Sequence, residues 1–240
     1  MGILTESYIN NKKEKDKMKR SLINTNIEWA MELCKEMKFN LPDFAYWTPE
    51  EWEEKKDKTQ RMREVGLGWD VTDYASGDFD KKGAVLFTLR NGSMSDPGRP
   101  YCEKMIAMKE NQVLPCHFHY EKTEDIINRC GGTLCVQVWN SKSEAEGYAV
   151  DTESDVTLYC DGMPVTVPAG GVVKIKNGNS ITLTPYVYHL FYAEGGPLIV
   201  GEVSKVNDDA ADNHFSEEIH LTIEEDEPVR HILCGGYVME

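Results

Sequence analysis

The sequence predicts a mainly β protein in which helices precede an antiparallel jelly-roll β-barrel. From residue 84 onward, short runs of apolar and β-branched residues alternate with turn residues, and no helical pattern separates them. Two-residue connectors such as Asp161-Gly162 are typical of tight hairpins between antiparallel strands. Before residue 84, apolar residues instead recur at helical spacing. About ten closely spaced strands without intervening helices favour a jelly-roll or small barrel.

The composition divides the 240 residues into three parts. Residues 1–20 carry many charges and are expected to form a solvated leader. Residues 21–83 are predicted to be a helical and loop extension that packs on the barrel. Residues 84–240 are predicted to form the barrel with a C-terminal extension. A chain of this length can bury one hydrophobic core with decorations, or form two small domains.

Two helices are predicted in the extension. Apolar residues at helical spacing predict an amphipathic helix over 23–39. Thr48-Pro49-Glu50-Glu51 is a capping box with proline at the first helical position. It predicts a second helix that runs from Trp52 to near Arg63. Gly66 and Gly68 then predict a break in regular structure.

The predicted strands of the barrel are runs of apolar, aromatic and β-branched residues bounded by turn residues. Asn91-Gly92, Gly131-Gly132 and Asp161-Gly162 are predicted turns between them. The predicted strands cover residues 84–89, 101–108, 113–118, 124–128, 133–139, 156–160, 164–167, 172–176, 181–184, 186–192, 198–203 and 229–233.

Charge and cysteine usage exclude several classes of function. The formal net charge is −15 and the pI is near 4.9, so no affinity for nucleic acid or an anionic membrane is expected. No apolar run approaches the roughly 18 residues that span a bilayer, and the first residues do not resemble a signal peptide. The seven cysteines form no Cys-x-x-Cys pair, which indicates free thiols in a reducing compartment. A cytoplasmic location is therefore predicted.

The stretch from His117 to Glu124 carries a pattern of metal ligands. His117 and His119 share one face if the stretch is a strand, and a hairpin would bring Glu124 beside them. Two imidazoles and a carboxylate suit Mn, Fe, Ni, Co or Zn. Two solvent-facing histidines are the alternative. His189, in an aromatic-rich strand, is the best candidate for a further ligand, and a hydrogen-bonded core histidine is the alternative there.

Two motifs resemble those of the cupin superfamily. His117-x-His119-x4-Glu124-x6-Gly131 reproduces the first cupin motif, and Pro185-x3-His189 resembles the second. The chain has Asn111, Val187 and Ala193 where the motifs carry glycine, glycine and asparagine. None of these departures removes a ligand. The resemblance implies a cupin-type jelly-roll barrel with His117, His119, Glu124 and His189 as metal ligands.

Longer stretches resemble the D-lyxose ketol-isomerase family. They are residues 122–129, 204–209 and 223–228, and the tryptophan-rich segment 44–52 also fits. The resemblance covers all but roughly the first twenty residues. It implies metal-dependent interconversion of D-lyxose and D-xylulose through a cis-enediol, with D-mannose and D-fructose as a further pair. It also implies Mn²⁺ as the metal, with Zn²⁺ or Fe²⁺ as alternatives.

The resemblance also suggests residues for the proton transfer. A cation with two open positions can act as a Lewis acid on the sugar oxygens while a nearby base moves the proton. Glu217 occupies the position of a functional carboxylate in the family, and Glu218 competes with it for that assignment. Lys104 is the second candidate for catalysis if its side chain points into the barrel and not to solvent. Pocket-lining roles in substrate binding are expected for Asp212, Phe215 and Arg230.

Other functions remain open at this point. Two histidines and a carboxylate also resemble the ligand set of a cupin oxygenase. Four protein ligands can instead close a structural metal site in a sugar-binding protein. A cupin-type phosphoglucose isomerase would need cations for the phosphate. Exposed edge strands make a homodimer the expected assembly.

Overall fold

The computed structural model describes residues 17–93, 95, 98–208, 211–215 and 221–233. Strands dominate these ranges, and their α-helices all lie before residue 65. None of the described helices is long and apolar enough to cross a membrane. The six described cysteines are free thiols, and Cys234 lies outside the described residues.

The N-terminal region contains three α-helices: α1 (Arg20–Glu36), α2 (Pro49–Glu54) and α3 (Gln60–Glu64). The predicted capping box is confirmed at the start of α2. The backbone N–H of Thr48 donates to the Glu51 carboxylate at 2.9 Å, and the Glu51 N–H donates to the Thr48 hydroxyl at 3.3 Å. This exchange satisfies two N–H groups that have no partner inside the helix.

The prediction of one continuous helix from Trp52 to Arg63 was wrong. The helix ends at Glu54, and a 3₁₀ turn over Lys56–Lys58 separates it from α3. The buried Thr59 hydroxyl donates to the carbonyl of Lys55 at 3.1 Å. Threonine side chains that bond nearby carbonyls compete with regular helical hydrogen bonds, which accounts for the interruption.

The strands form a largely antiparallel fold. In chain order they are β1 (Lys17–Lys19), β2 (Gly68–Thr72), β3 (Ala84–Asn91), β4 (Tyr101–Met108), β5 (Val113–His119), β6 (Glu124–Ser141), β7 (Val150–Asp151), β8 (Val156–Cys160), β9 (Met163–Val167), β10 (Gly171–Ile175), β11 (Ser180–Leu183), β12 (Val187–Lys205), β13 (Asn213–Phe215) and β14 (Thr222–Glu224).

Twelve of the strands belong to one sheet, with the order β2-β3-β4-β12-β6-β11-β8-β9. Strands β5 and β13 extend from β12, and β7 and β10 pair with β6. The predicted cupin-type jelly-roll with N-terminal helices is confirmed. Among the described strands, hydrogen bonding does not close the sheet into a ring.

The longest strands differ from the prediction in one respect. The predicted turn at Gly131-Gly132 was wrong, because both glycines lie inside β6. Residues 186–192 and 198–203 likewise belong to the single strand β12. The register between β6 and β12 shifts between Glu194 and Leu198, so Gly131 and Gly132 of β6 lie at a β-bulge. Gly131 has φ +102°, and a Cβ there would lie 2.3 Å from the Pro197 carbonyl oxygen.

Two further predictions differ from the structure. The predicted break is present at Gly66, which lies in the turn after α3, but Gly68 begins β2, which pairs with β3 along its whole length. Sheet pairing outweighs the low strand propensity of glycine here. Residues 229–233 do not form the predicted strand, and a single bridge joins Leu233 to Trp69.

Alternate residues of the sheet face two different cores. On β4, Ile106 and Met108 point into the jelly-roll, whereas Met105 and Ala107 pack outward beneath α1. The outer core takes its helical side chains from Ile23, Ile27, Ala30, Leu33 and Cys34. Lys104 lies two residues before Ile106 on the same strand, so its side chain also points into the jelly-roll.

Residues 222–228, here called the C-terminal strap, pack against α1 and β1. Strand β14 pairs with β1 in parallel, and acidic side chains that follow it bind polar residues of the helix. The buried Arg20 guanidinium donates two hydrogen bonds to Glu225, at 2.9 and 2.7 Å. The Asn24 amide donates to Glu227 at 2.7 Å. These contacts fix residues 222–228 against the outer core.

We expect Glu225→Gln to lower the free energy of unfolding by about 1 kcal/mol near neutral pH. The Arg20 side chain is 8% exposed, so its charge loses a bidentate partner that water replaces poorly. Urea denaturation of this variant measures the loss. The exposed neighbour Glu224 provides the control, and Glu224→Gln should leave stability nearly unchanged.

The Glu225 penalty should also depend on pH. Hydrogen bonding from Arg20 lowers the pKa of Glu225 in the folded protein. A lowered folded pKa gives stabilisation that is present above the unfolded pKa of about 4.3 and is lost as the pH falls below it. The difference between wild type and Glu225→Gln should therefore shrink below about pH 4.3. A difference that stays constant into the acid range would contradict this account.

Candidate active site

The β5–β6 hairpin and strand β12 bring three histidines and a glutamate together. His117 and His119 lie two residues apart on β5 and point to its inner face, and Glu124 is the first residue of β6. His189 on β12 lies opposite His117 in the register of the sheet. Phe118, between the two histidines, points to the other face and stacks on the ring of His214 at 4.6 Å.

Backbone carbonyls fix the orientation of two imidazoles. The Nδ1–H of His117 donates to the Pro115 carbonyl at 2.9 Å, and that of His189 donates to the Val187 carbonyl at 2.9 Å. Burial and the neighbouring His189 lower the pKa of His117 well below its usual value, and burial lowers that of His189 to about 4. Both rings are therefore neutral at pH 7, and their Nε2 lone pairs face each other at 3.2 Å.

The Glu124 carboxylate completes the group. One oxygen lies 3.3 Å from His189 Nε2, and the other lies 3.5 Å from His119 Nε2. Burial alone raises the pKa of Glu124, but the Lys122 ammonium and His119 outweigh it and hold that pKa well below its usual value. The carboxylate is therefore ionised. Both ring nitrogens of His119 are buried without a hydrogen-bond partner.

This donor set fits a divalent metal ion. The imidazole nitrogens of His117, His119 and His189 lie within 4.8 Å of one another. Two ligands about 2.1 Å from an ion and at right angles to each other lie roughly 3 Å apart. Neutral lone pairs and a carboxylate oxygen at 3.2–3.5 Å repel one another unless a cation lies between them. The orphaned Nε2 of His119, which lies on the side of Glu124, would gain a partner from the same ion.

A cavity of about 310 Å³ opens beside these four residues. His117, His119 and Glu124 border it, so a small molecule can reach the candidate metal ligands. Its volume lies at the lower end of the range for small-molecule sites. The other lining residues are Asp70, Thr72, Tyr74, Leu86, Lys104, Ile106, Leu114, Lys122, Phe191, Glu202, Asn213, Phe215 and Leu221.

A buried ammonium links two carboxylates in the cavity wall. Lys122 Nζ lies 3.0 Å from Glu124 and 2.9 Å from Glu202, and each of these three residues is at most 4% exposed. Sequence reasoning assigned no role to Lys122 or Glu202. The sequence does carry one indication that Glu202 is buried: it continues the alternate, inward-facing positions of Leu198 and Val200 along β12. A carboxylate at such a position needs a buried partner.

Lys104, predicted as catalytic, points into the cavity and is 4% exposed. Its Nζ lies 2.5 Å from the Asn207 amide oxygen. In the sheet register, Lys104 lies opposite Glu202. The solvent-facing alternative for this lysine is therefore excluded.

The predicted substrate-binding residues have different locations. Phe215 lines the cavity, and its ring stacks on His117 at 5.0 Å with an interplanar angle of 25°. Asp212 does not line the cavity. Its carboxylate accepts the N–H groups of Glu121 and Lys122, at 2.7 and 3.1 Å, and thereby holds the β5–β6 loop.

Arg230 lies apart from the cavity. Its guanidinium pairs with Glu28 on α1 and with Glu227, both at 2.8 Å, and so belongs to the C-terminal strap. Glu217, predicted as catalytic, and its competitor Glu218 lie outside the described residues. Their assignments remain predictions.

Solved structures with a similar fold are L-ribose isomerases. The enzyme from Acinetobacter sp. DL28, in complex with L-ribose, gives a TM-score of 0.58 at 14% identity and covers 87% of this chain and 99% of its own. The enzyme from Cellulomonas parahominis, with L-ribose, gives a TM-score of 0.54 at 14% identity and covers 88% and 100%. At this identity the likeness establishes the fold alone.

Sequence comparison identifies closer relatives. The D-lyxose/D-mannose isomerase of Escherichia coli O157:H7 is 40% identical over 92% of this chain and 98% of its own length. The enzyme of the same name from Serratia proteamaculans is 41% identical over 92% and 98%. The sequence model of the D-lyxose isomerase family matches residues 18–237. The chain therefore belongs to the D-lyxose isomerase family and is a sugar isomerase.

Proposed function

We propose that this protein is a metal-dependent isomerase of free sugars that interconverts D-lyxose and D-xylulose, with D-mannose and D-fructose as a second pair. The names of its 40% and 41% identical relatives support these sugars. The observation that carries the proposal is the convergence of three imidazoles and Glu124 beside an accessible cavity.

His117, His119, Glu124 and His189 would hold the metal, and Mn²⁺ is the ion that we propose. Three nitrogens and one carboxylate also accept Zn²⁺ or Fe²⁺. A divalent cation supplies Lewis-acid stabilisation of negative charge that develops on sugar oxygens. The carbonyl bonds to the Nδ1 atoms of His117 and His189 keep their Nε2 atoms oriented for that role.

Isomerisation requires a group that moves a proton between C1 and C2. We assign this step to Glu202, whose buried carboxylate lines the cavity next to the candidate metal ligand Glu124. As a general base it would remove the proton from C2 of the open-chain aldose while O1 gains a proton, which gives the cis-enediol. It would then return the proton to C1 while O2 loses its proton, which gives the ketose. Glu217 is the competing assignment from the sequence.

Two lysines have separate tasks in this scheme. Lys122 lies between Glu124 and Glu202, so its charge keeps Glu124 ionised and its ammonium fixes the orientation of both carboxylates. Lys104 lies opposite Glu202 and is oriented by Asn207. Its ammonium can donate a hydrogen bond or a proton to the sugar oxygen on which charge develops.

The charge of the cavity favours free sugars over sugar phosphates. Among the described lining residues the cations are Lys104 and Lys122, and both are already bonded to side chains of the protein. Asp70, Glu124 and Glu202 add negative charge. A phosphate would therefore have to compete with Asn207 and Glu202 for these two ammonium groups.

The alternative functions receive less support. Family membership favours an isomerase over an oxygenase. Three candidate ligands border the cavity, which favours an open catalytic site over a closed structural one. A cytoplasmic homodimer remains the expectation from the sequence.

We predict that chelator-stripped protein is inactive and that Mn²⁺ restores conversion of D-lyxose to D-xylulose and of D-mannose to D-fructose. His117→Ala should abolish this restoration and weaken Mn²⁺ binding, because it removes one of four donors. His231→Gln provides the control, because it changes a histidine outside the candidate ligand group whose Nε2 lies 3.6 Å from Glu28 on α1. Wild-type protein that binds Mn²⁺ but converts no pentose or hexose would refute the proposal.

We expect Glu202→Gln to lower kcat by about 10²- to 10⁴-fold with a small change in KM, because the amide cannot accept the proton. Glu194→Gln changes an exposed glutamate of the same strand and should retain activity. Steady-state kinetics on D-lyxose measure both variants. If Glu217→Gln loses kcat and Glu202→Gln does not, the base is Glu217.

We expect Lys122→Met to destabilise the metal-free protein by about 3 kcal/mol, because it removes the ammonium that pairs with two buried carboxylates. The second change Glu202→Leu should recover much of this loss. Urea denaturation in the presence of a chelator measures both variants. Lys174→Met, which breaks an exposed pair with Glu194, is the control. Equal stability of Lys122→Met and wild type would show that the buried pairs have no structural role.

A further inference from the structure

Strand β2 supplies one wall of the cavity, although the sequence did not predict it. Asp70 and Thr72 of β2 line the cavity, and Tyr74 lines it from the turn that follows the strand. Neither the metal centre nor the proton transfer uses Tyr74. Its position and backbone suggest a separate role in substrate recognition.

The backbone at Tyr74 is held in an unfavourable conformation. Tyr74 has φ +52° and the next residue, Ala75, has φ +55°, both in the left-handed region that favours glycine. The Tyr74 N–H donates to the Thr72 hydroxyl at 3.0 Å. The buried Asp73 carboxylate accepts the N–H groups of Ala75 and Gly77, both at 3.0 Å. Such strain persists where the surrounding structure fixes it, and it is concentrated at functional sites.

The strained turn directs the Tyr74 ring along the cavity wall. The half-buried ring lies 6.0 Å from that of Phe215, which in turn stacks on the candidate metal ligand His117. The Phe215 ring therefore lies between Tyr74 and the candidate ligand His117. A sugar whose first two carbons react beside the ligands extends its last carbons away from them. The sixth carbon of a hexose lies farthest from the reacting end.

We propose that Tyr74 is a specificity-determining residue that recognises the sixth carbon of hexose substrates. In this arrangement its ring packs against the terminal C–H groups, and its hydroxyl can exchange a hydrogen bond with a terminal sugar hydroxyl. D-mannose extends D-lyxose by one terminal carbon, so this contact separates hexose from pentose. The inference rests on the proposed function.

The test compares Tyr74→Ala and Tyr74→Phe with wild type, each loaded with Mn²⁺. kcat/KM is measured on D-mannose and D-lyxose, and calorimetry gives the Kd of a linear hexitol and a linear pentitol. Loss of one apolar contact changes specificity by about tenfold or more. Tyr74→Ala should therefore lower kcat/KM for D-mannose about tenfold more than for D-lyxose, chiefly through KM. The Kd of the hexitol should rise by a similar factor relative to the pentitol.

Tyr74→Phe retains the ring and its packing against Phe215, so it tests the hydroxyl if the alanine variant folds poorly. Like Tyr74→Ala, it should lower kcat/KM for D-mannose relative to D-lyxose, but by a smaller factor. Tyr159→Ala, on β8, removes an exposed tyrosine that does not line the cavity and should leave the sugar ratio unchanged.

Equal losses on both sugars, or an unchanged ratio in both Tyr74 variants, would overturn the inference while leaving the isomerase proposal intact. Wild-type protein that binds Mn²⁺ but converts neither sugar would overturn the isomerase proposal, and this inference with it.

Discussion

The register of β12 against β4, β5 and β6 is the constraint on which the site depends. It places His189 opposite His117 and, at the other end of the same strand, Glu202 opposite Lys104. The core-facing residues of β12 are odd-numbered as far as Ala193 and even-numbered from Leu198 onward. The bulge between them reverses the parity, so that both ends of one strand direct functional groups inward. A slip of one residue would turn either group to the wrong face.

Burial makes the site a set of mutually dependent charges. Glu124 lies between the imidazoles and the Lys122 ammonium, and that ammonium also contacts Glu202. Each charge is tolerated because an opposite charge lies within hydrogen-bonding distance. A cation among the imidazoles would add positive charge on the side of Glu124 that faces His189. The candidate metal ligands and the carboxylate assigned to proton transfer are thus one electrostatic unit.

The sequence predicts features that depend on local spacing. His117 and His119 lie two residues apart within one strand, and the capping box at Thr48 spans four residues. Features that depend on distant pairing were missed or wrong. In the sequence, Gly131-Gly132 has the composition of a turn, but in the fold it lies at a bulge between β6 and β12. Strand β2 forms because β3 provides its hydrogen-bonding partner. Sequence alone does not distinguish a buried Lys122 from a solvated one, so the ion-paired part of the cavity became visible only in the fold.

The most direct test of the central claim is a crystal structure of the Mn²⁺-loaded protein with a linear pentitol. We predict an anomalous difference peak for manganese within bonding distance of the Nε2 atoms of His117, His119 and His189 and of an oxygen of Glu124. The polyol should lie in the adjacent cavity. Manganese bound elsewhere, or a polyol outside this cavity, would contradict the account.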